Sequence, residues 1–146
     1  MPKVTPFLWF DTQAQEAAEL YVSIFPNSKV TQSTPMVVTF TLDGQDVMAL
    51  NGGPHFKFNE AVSFVIDCRD QAEVDYYWDR LLANGGQPSQ CGWLKDRFGL
   101  SWQVVPEALR RLMGGPDRAA AGRVQAAMMK MVKLDVAALE AAAASG

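Results

Sequence analysis

Histidine is almost missing from this chain of 146 residues: there is one, His55, and there are two cysteines, Cys68 and Cys91. A metal centre built on several imidazoles is excluded by that count, because such centres gather three or more nitrogen, sulfur or carboxylate donors. The cysteines form no C-x-x-C pair and are too few for a disulfide framework, so reduced thiols and a cytoplasmic setting are expected. A basic excess is also lacking: 13 Lys and Arg against 16 Asp and Glu give a net charge of −3. Without a basic stripe to neutralise phosphates, nucleic acid is not an expected partner. No run of about 18 apolar residues exists to span a membrane, and the start "MPKVTPFLWFD" has no apolar signal core. P-loop, H-E-x-x-H and G-x-S-x-G motifs are absent as well.

What the chain does have is apolar content, 49% of its residues, enough for one ordinary domain with a single core over 1–146. "VTPFLWF" and "AVSFVIDC" are apolar runs of strand length. Each precedes a helix-periodic stretch: Ala17, Leu20, Tyr21, Ile24 and Phe25 in the first, Val74, Tyr77, Trp78, Leu81 and Leu82 in the second. Thr12 with Gln15 and Asp70 with Glu73 have capping-box spacing. A shift of 57 positions lays Phe7 on Phe64, Tyr21 on Trp78 and Asn27 on Asn84. The chain reads as one module written twice.

Strands follow each helix: "SKVTQST", "PMVVTFTLDG" and "QDVMALN", then "GQPSQCGWLKD" and "GLSWQVVP". Asp43-Gly44 is a two-residue hairpin signal. The expected order is therefore β-α-β-β-β twice, an α+β fold of cupped mixed sheets. Module 1 spans 4–53, a linker 54–60, module 2 61–106 and a helical extension 107–146. In the extension "EALRRLM" stops at Gly114-Gly115-Pro116, and Val124, Ala127, Met128 and Met131 make an apolar stripe. That stripe is read as core or dimer contact, with a partner-binding role for these helices as the third functional reading.

The stretches "PFLWFDTQAQEAAELYVSIFPNS", "LNGGPHFKFNEAVSF", "DCRDQAEVDYYWDRLLANGG" and "CGWLKDRFGLSWQVVP" resemble the vicinal oxygen chelate superfamily of glyoxalases, bleomycin-resistance proteins and extradiol dioxygenases. The resemblance is to its PhnB-like branch, often labelled demethylubiquinone methyltransferase, and covers nearly the whole chain. Metal-dependent members present four side chains to a metal, and the resemblance puts Thr5, Ala49, Ala61 and Gln103 at those positions. Two alanines and a threonine supply no such donors, so no metal or other cofactor is expected. Methyl transfer is not expected either, because no G-x-G turn follows the first strand and no βαβα alternation exists.

The reading that results is a small-molecule binder, as a homodimer, whose aromatic-lined cup uses Phe7, Trp9, Asn51, Phe56, Trp93 and Gln103. Alternation puts Gln103 toward the cup and Trp102 under a helix. The second reading is an enzyme using Cys91 or His55 with Gln103 and Asn51. Lys95 would activate Cys91, provided the chain turns near Gly92, since along a strand the two lie over about 10 Å apart. His55 is read as a rim or structural residue, and Asn51 as a turn cap first and a ligand anchor second.

Overall fold

A computed structural model describes residues 2–145; Met1 and Gly146, at the ends of the expected ranges, lie outside them. The chain divides into two compact units, residues 1–58 and 59–146. The expected α+β arrangement, two β-α-β-β-β modules and C-terminal helices, is what the structure has.

In the first unit the elements are β1 (Phe7–Phe10), α1 (Ala14–Ile24), β2 (Lys29–Ser33), β3 (Val37–Leu42) and β4 (Gln45–Asn51). They make a sheet of order β1-β4-β3-β2, with β1 parallel to β4 and the other pairs antiparallel. Leu8, Phe10, Val38, Phe40, Val47 and Ala49 are buried on one face, where Tyr21 of α1 meets Phe40 with ring centroids 6.2 Å apart. Asp43 and Gly44 both take left-handed backbone, φ 46° and 83°, the conformation a two-residue hairpin needs to match strand twist.

The second unit repeats this with β5 (Ser63–Cys68), α2 (Gln71–Leu82), β6 (Gln87–Pro88), β7 (Trp93–Lys95) and β8 (Ser101–Pro106), in the order β5-β8-β7-β6. Asn27 and Asn84 stand at corresponding places after the two helices, both left-handed at φ 50° and 63°, a conformation asparagine tolerates better than most residues. The stretch "GQPSQCGWLKD" supplies two of the three strands after α2, paired as a hairpin. Cys91 and Gly92 turn left-handed, φ 60° and 87°, and their N–H groups donate to the carbonyls of Met131 and Val132 at 2.7 and 2.8 Å.

Two expectations are corrected. The 57-residue shift holds for the helices, where Tyr21 and Trp78, and Ile24 and Leu81, are buried alike. It fails for the strands: Phe7 is 52% exposed, whereas Phe64 packs edge-on to buried Trp102 at 5.3 Å. Leu8, not Phe7, is the counterpart of Phe64, so module 2 carries one residue more between its first strand and its helix. The Thr12–Gln15 box also does not form, and no side chain of the adjacent N-cap residue serves α1. The Ala14 N–H donates instead to Asn51 Oδ1 at 2.8 Å, from the end of β4. At α2 the cap is local, Asp70 Oδ1 accepting from Glu73 N at 2.9 Å.

Three further helices, α3 (Glu107–Met113), α4 (Arg118–Met128) and α5 (Val136–Ala144), complete the second unit. Leu109, Val124, Leu134 and Leu139 form a buried cluster with Met128 and Met131 against it. The methionine stripe is thus used within the unit, while Met129 faces out. Arg123 donates to the carbonyls of Ala142 and Ala143 at 3.0 and 2.7 Å, closing the C-terminus of α5. Gln71 bonds both the Leu134 carbonyl, at 3.1 Å, and the Val136 N–H, at 2.7 Å. No helix among the described residues is long and apolar enough to cross a membrane.

Candidate functional site

Two-residue alternation assigns every strand side chain of the second sheet to a face. Phe64, Ile66, Cys68, Leu94, Trp102 and Val104 lie on the α2 side, all buried except the partly covered Phe64. As alternation required, Trp102 is 2% exposed beneath the helix. Its indole N–H donates to Asp96 Oδ2 at 2.9 Å, and Asp96 Oδ1 accepts from the N–H groups of Phe98 and Leu100 at 2.9 and 3.1 Å. Asp96, which the sequence presents as one charge in a polar loop, is a 3% exposed structural carboxylate.

The opposite face carries the chemistry. Pairing sets Ser63 beside Ser101 and Ser101 beside Lys95, with Gln87 next across. The adjacent row is Val65, Gln103 and Trp93. Gln103 Nε2 donates to Ser63 Oγ at 3.0 Å. Lys95 is ion-paired with Glu60, whose carboxyl is held below the usual range by that hydrogen bond first and by the ammonium's charge second. Trp93, Lys95 and Ser101 line a depression of about 300 Å³ together with Glu60, Gln87 and Ser89. Ser101 is fully buried, and its hydroxyl has no hydrogen-bond partner among the described residues.

Of the residues expected to form a site, Trp93 and Gln103 are therefore adjacent. Cys91 is not on a strand but in the turn before β7, and Lys95, expected to activate it, is engaged by Glu60. Ser63, Ser101 and Glu60 were not singled out from the sequence. Counting by twos from Gln103 and Trp93 points to Ser101 and Lys95, but burial and a missing partner are not visible in a sequence.

Phe7 and Trp9 share the face of the first sheet turned away from α1. The "NGGPHF" stretch wraps Trp9: its indole N–H donates to the Gly53 carbonyl at 2.9 Å, and Phe56 meets its ring edge-on at 4.9 Å. Gly52 lies so close that a β-carbon there would fall 2.4 Å from the indole, below any contact real side chains make. Asn51 is committed at both ends, accepting from Ala14 and donating to the Pro35 carbonyl at 3.1 Å. His55 is exposed in the turn beyond.

The four positions assigned by the resemblance need adjustment. Ala49 pairs with Leu8 and Val38 on the helix-covered face, which makes it the counterpart of Trp102; Leu50 is the counterpart of Gln103. Thr5 and Ala61 precede β1 and β5, each by two residues. Thr5 Oγ1 is buried without a partner among the described residues. Leu50 is no better a ligand than alanine, so the residues present do not fit a chelated metal. Among the described residues no three His, Cys, Asp or Glu side chains gather into a potential metal site.

Residues 2–105 match the family model of 3-demethylubiquinone-9 3-methyltransferase. The chain belongs to this family. A PhnB protein of Bacillus cereus bearing the same description is similar at 29% identity and TM-score 0.66, over 72% of this chain and 99% of that one. A Pseudomonas aeruginosa protein of known structure has 18% identity and TM-score 0.60, over 73% and 98%. The fosfomycin resistance protein FosX of Listeria monocytogenes, complexed with Mn(II) and sulfate, has 14% identity and TM-score 0.56, over 75% and 94%. These last two share the fold alone. Among curated proteins none matches the chain. The family's name specifies an activity, but a sheet covered by one helix per module is not the parallel α/β architecture that cradles nucleotide-like methyl donors at a glycine-rich turn.

The two thiols differ. Burial first, then the Glu73 and Asp67 carboxylates, push the Cys68 thiol up to about 12 from an ordinary 9.0. Its S–H donates to the Ile66 carbonyl at 3.8 Å. Iodoacetamide at pH 8 should label the half-exposed Cys91 alone in native protein and both thiols in denaturant. Two adducts on folded protein, counted by mass spectrometry, would contradict the burial of Cys68. Because its folded value is raised, Cys68 contributes stability that is whole below about pH 9 and lost as pH climbs toward 12.

Proposed function

We propose that this protein binds a small organic ligand against the open, aromatic-bearing face of its second sheet, without the metal that the superfamily often uses. The observation that carries this reading is the neighbourhood of Trp93: an indole beside the Gln103 amide, next to a depression with a buried, unpartnered Ser101 hydroxyl. An apolar surface with a few convergent polar groups is the usual make-up of a small-molecule site. Phe7, Trp9 and Phe56 are the aromatic counterparts in the first unit; Asn51 and His55 are left to structure and rim.

We take the protein to act as a cytoplasmic homodimer, which two free cysteines and the exposed Phe7 and Val65 support. Cysteine-based catalysis has weaker support, since Lys95 is paired elsewhere. A thermal-shift screen of small aromatic compounds should give hits, and Trp93→Ala should weaken the best of them tenfold or more. Stoichiometric Mn, Fe, Ni or Zn in purified protein would defeat the metal-free reading, and hits indifferent to Trp93→Ala would defeat the site.

A further inference from the structure

Resting on that reading, we propose that the ligand is a small organic monocarboxylate whose apolar body lies on Trp93 and whose carboxylate takes the place of Glu60 on Lys95, with the Ser101 hydroxyl beside it. Lys95 and Ser101 are direct cross-strand partners on one face, so their β-carbons stand about 5 Å apart. An ammonium and a hydroxyl at that spacing can both donate to one carboxylate. The hydroxyl is the more telling group. A buried polar atom without a partner destabilises the fold, and among the described residues Ser101 Oγ is such an atom. It lines the same depression as Lys95 and Trp93, where an arriving oxygen atom would satisfy it.

Charge narrows the ligand class. Among the described residues Lys95 is the only cationic one lining the depression, which matches one negative charge; a phosphate dianion would call for a second cation or a bidentate guanidinium. Glu60 shows that a carboxylate sits on this ammonium, yet its side chain is 64% exposed, so the pair is solvent-screened and weak. Displacing it is correspondingly cheap. Trp93 stands two residues before Lys95 on the same strand and face, about 7 Å away at 3.3 Å per residue. That spacing suits a ring or alkyl body joined to a carboxylate by a short linker.

Phenylacetate and its neutral isostere phenylacetamide are suitable probes, titrated while the Trp93 indole N–H is followed by NMR. Wild-type protein should bind phenylacetate at least tenfold more tightly than the amide. Lys95→Met should abolish that preference, Ser101→Ala should weaken phenylacetate several-fold, and Glu60→Gln should strengthen it about threefold by removing the internal competitor. Equal binding of both probes, or a preference that survives Lys95→Met, would overturn the carboxylate assignment and leave the binding reading standing. If neither probe moves Trp93 even in Glu60→Gln, the carboxylate assignment also falls, and the aromatic screen decides the binding reading separately.

Discussion

Asp96→Ala should lose about 3–5 kcal/mol of stability, because it strands three N–H donors around a site that is 3% exposed. Two of these are the backbone groups of Phe98 and Leu100 that close the β7–β8 turn, and the third is the indole of Trp102. Hydrogen bonds to a charged acceptor contribute about 1.5–3 kcal/mol each, but the backbone donors regain water when the turn opens, so the sum is not reached. The melting temperature should fall by roughly 6–20 °C at about 2–4 °C per kcal/mol. Asp96→Asn should cost less: one oxygen still serves the two backbone donors, and only the indole bond is lost. Equal melting temperatures for Asp96→Ala and wild type would show that this carboxylate is not what holds Trp102.

The second large effect is expected at Leu134. It is fully buried, packs with Leu109, Val124 and Leu139, and sits over Gly92, where a β-carbon would come within 3.0 Å of its side chain. Leu134→Ala should cost about 2–5 kcal/mol through lost burial and the cavity left behind. The loss should spread, because the segment it anchors supplies the carbonyls of Met131 and Val132 to the Cys91–Gly92 turn and is gripped on its other side by Gln71. Lys133 and Asp75 add an exposed ion pair at 2.8 Å. Faster hydrogen exchange at the amides of Cys91 and Gly92 should accompany the destabilisation. A cost under about 1 kcal/mol with unchanged exchange would mean that the C-terminal helices are only loosely attached to the sheet. The family match covers residues 2–105, so the docked segment lies outside the matched residues and its partners Gln71, Cys91 and Gly92 lie within them.

Much of the architecture was legible in periodicity. The apolar spacing of both helices, the Asp43-Gly44 hairpin and the paired asparagines are local signals, and local signals survive in one dimension. The face of each residue within a strand was less secure. A one-residue difference between modules reverses every side chain after it, which is why Phe7 and Phe64 point to opposite faces and Ala49 lies under α1. The hairpin hidden in "GQPSQCGWLKD" depends on carbonyls from residues 131 and 132, some forty positions on, and no local pattern announces such partners.

The sequence by itself determined the doubled module, the family resemblance and the alternation that separates Gln103 from Trp102. These follow from residue type and short-range spacing. Only the tertiary structure decided that Asn51 caps α1, that "NGGPHF" is wrapped around Trp9, that Asp96 is a buried structural anion, and that Lys95 and Ser101 meet beside Trp93. Each of those depends on which distant residue fills a hydrogen bond or covers a side chain from water, and that is fixed by strand register and packing rather than by neighbours in the chain.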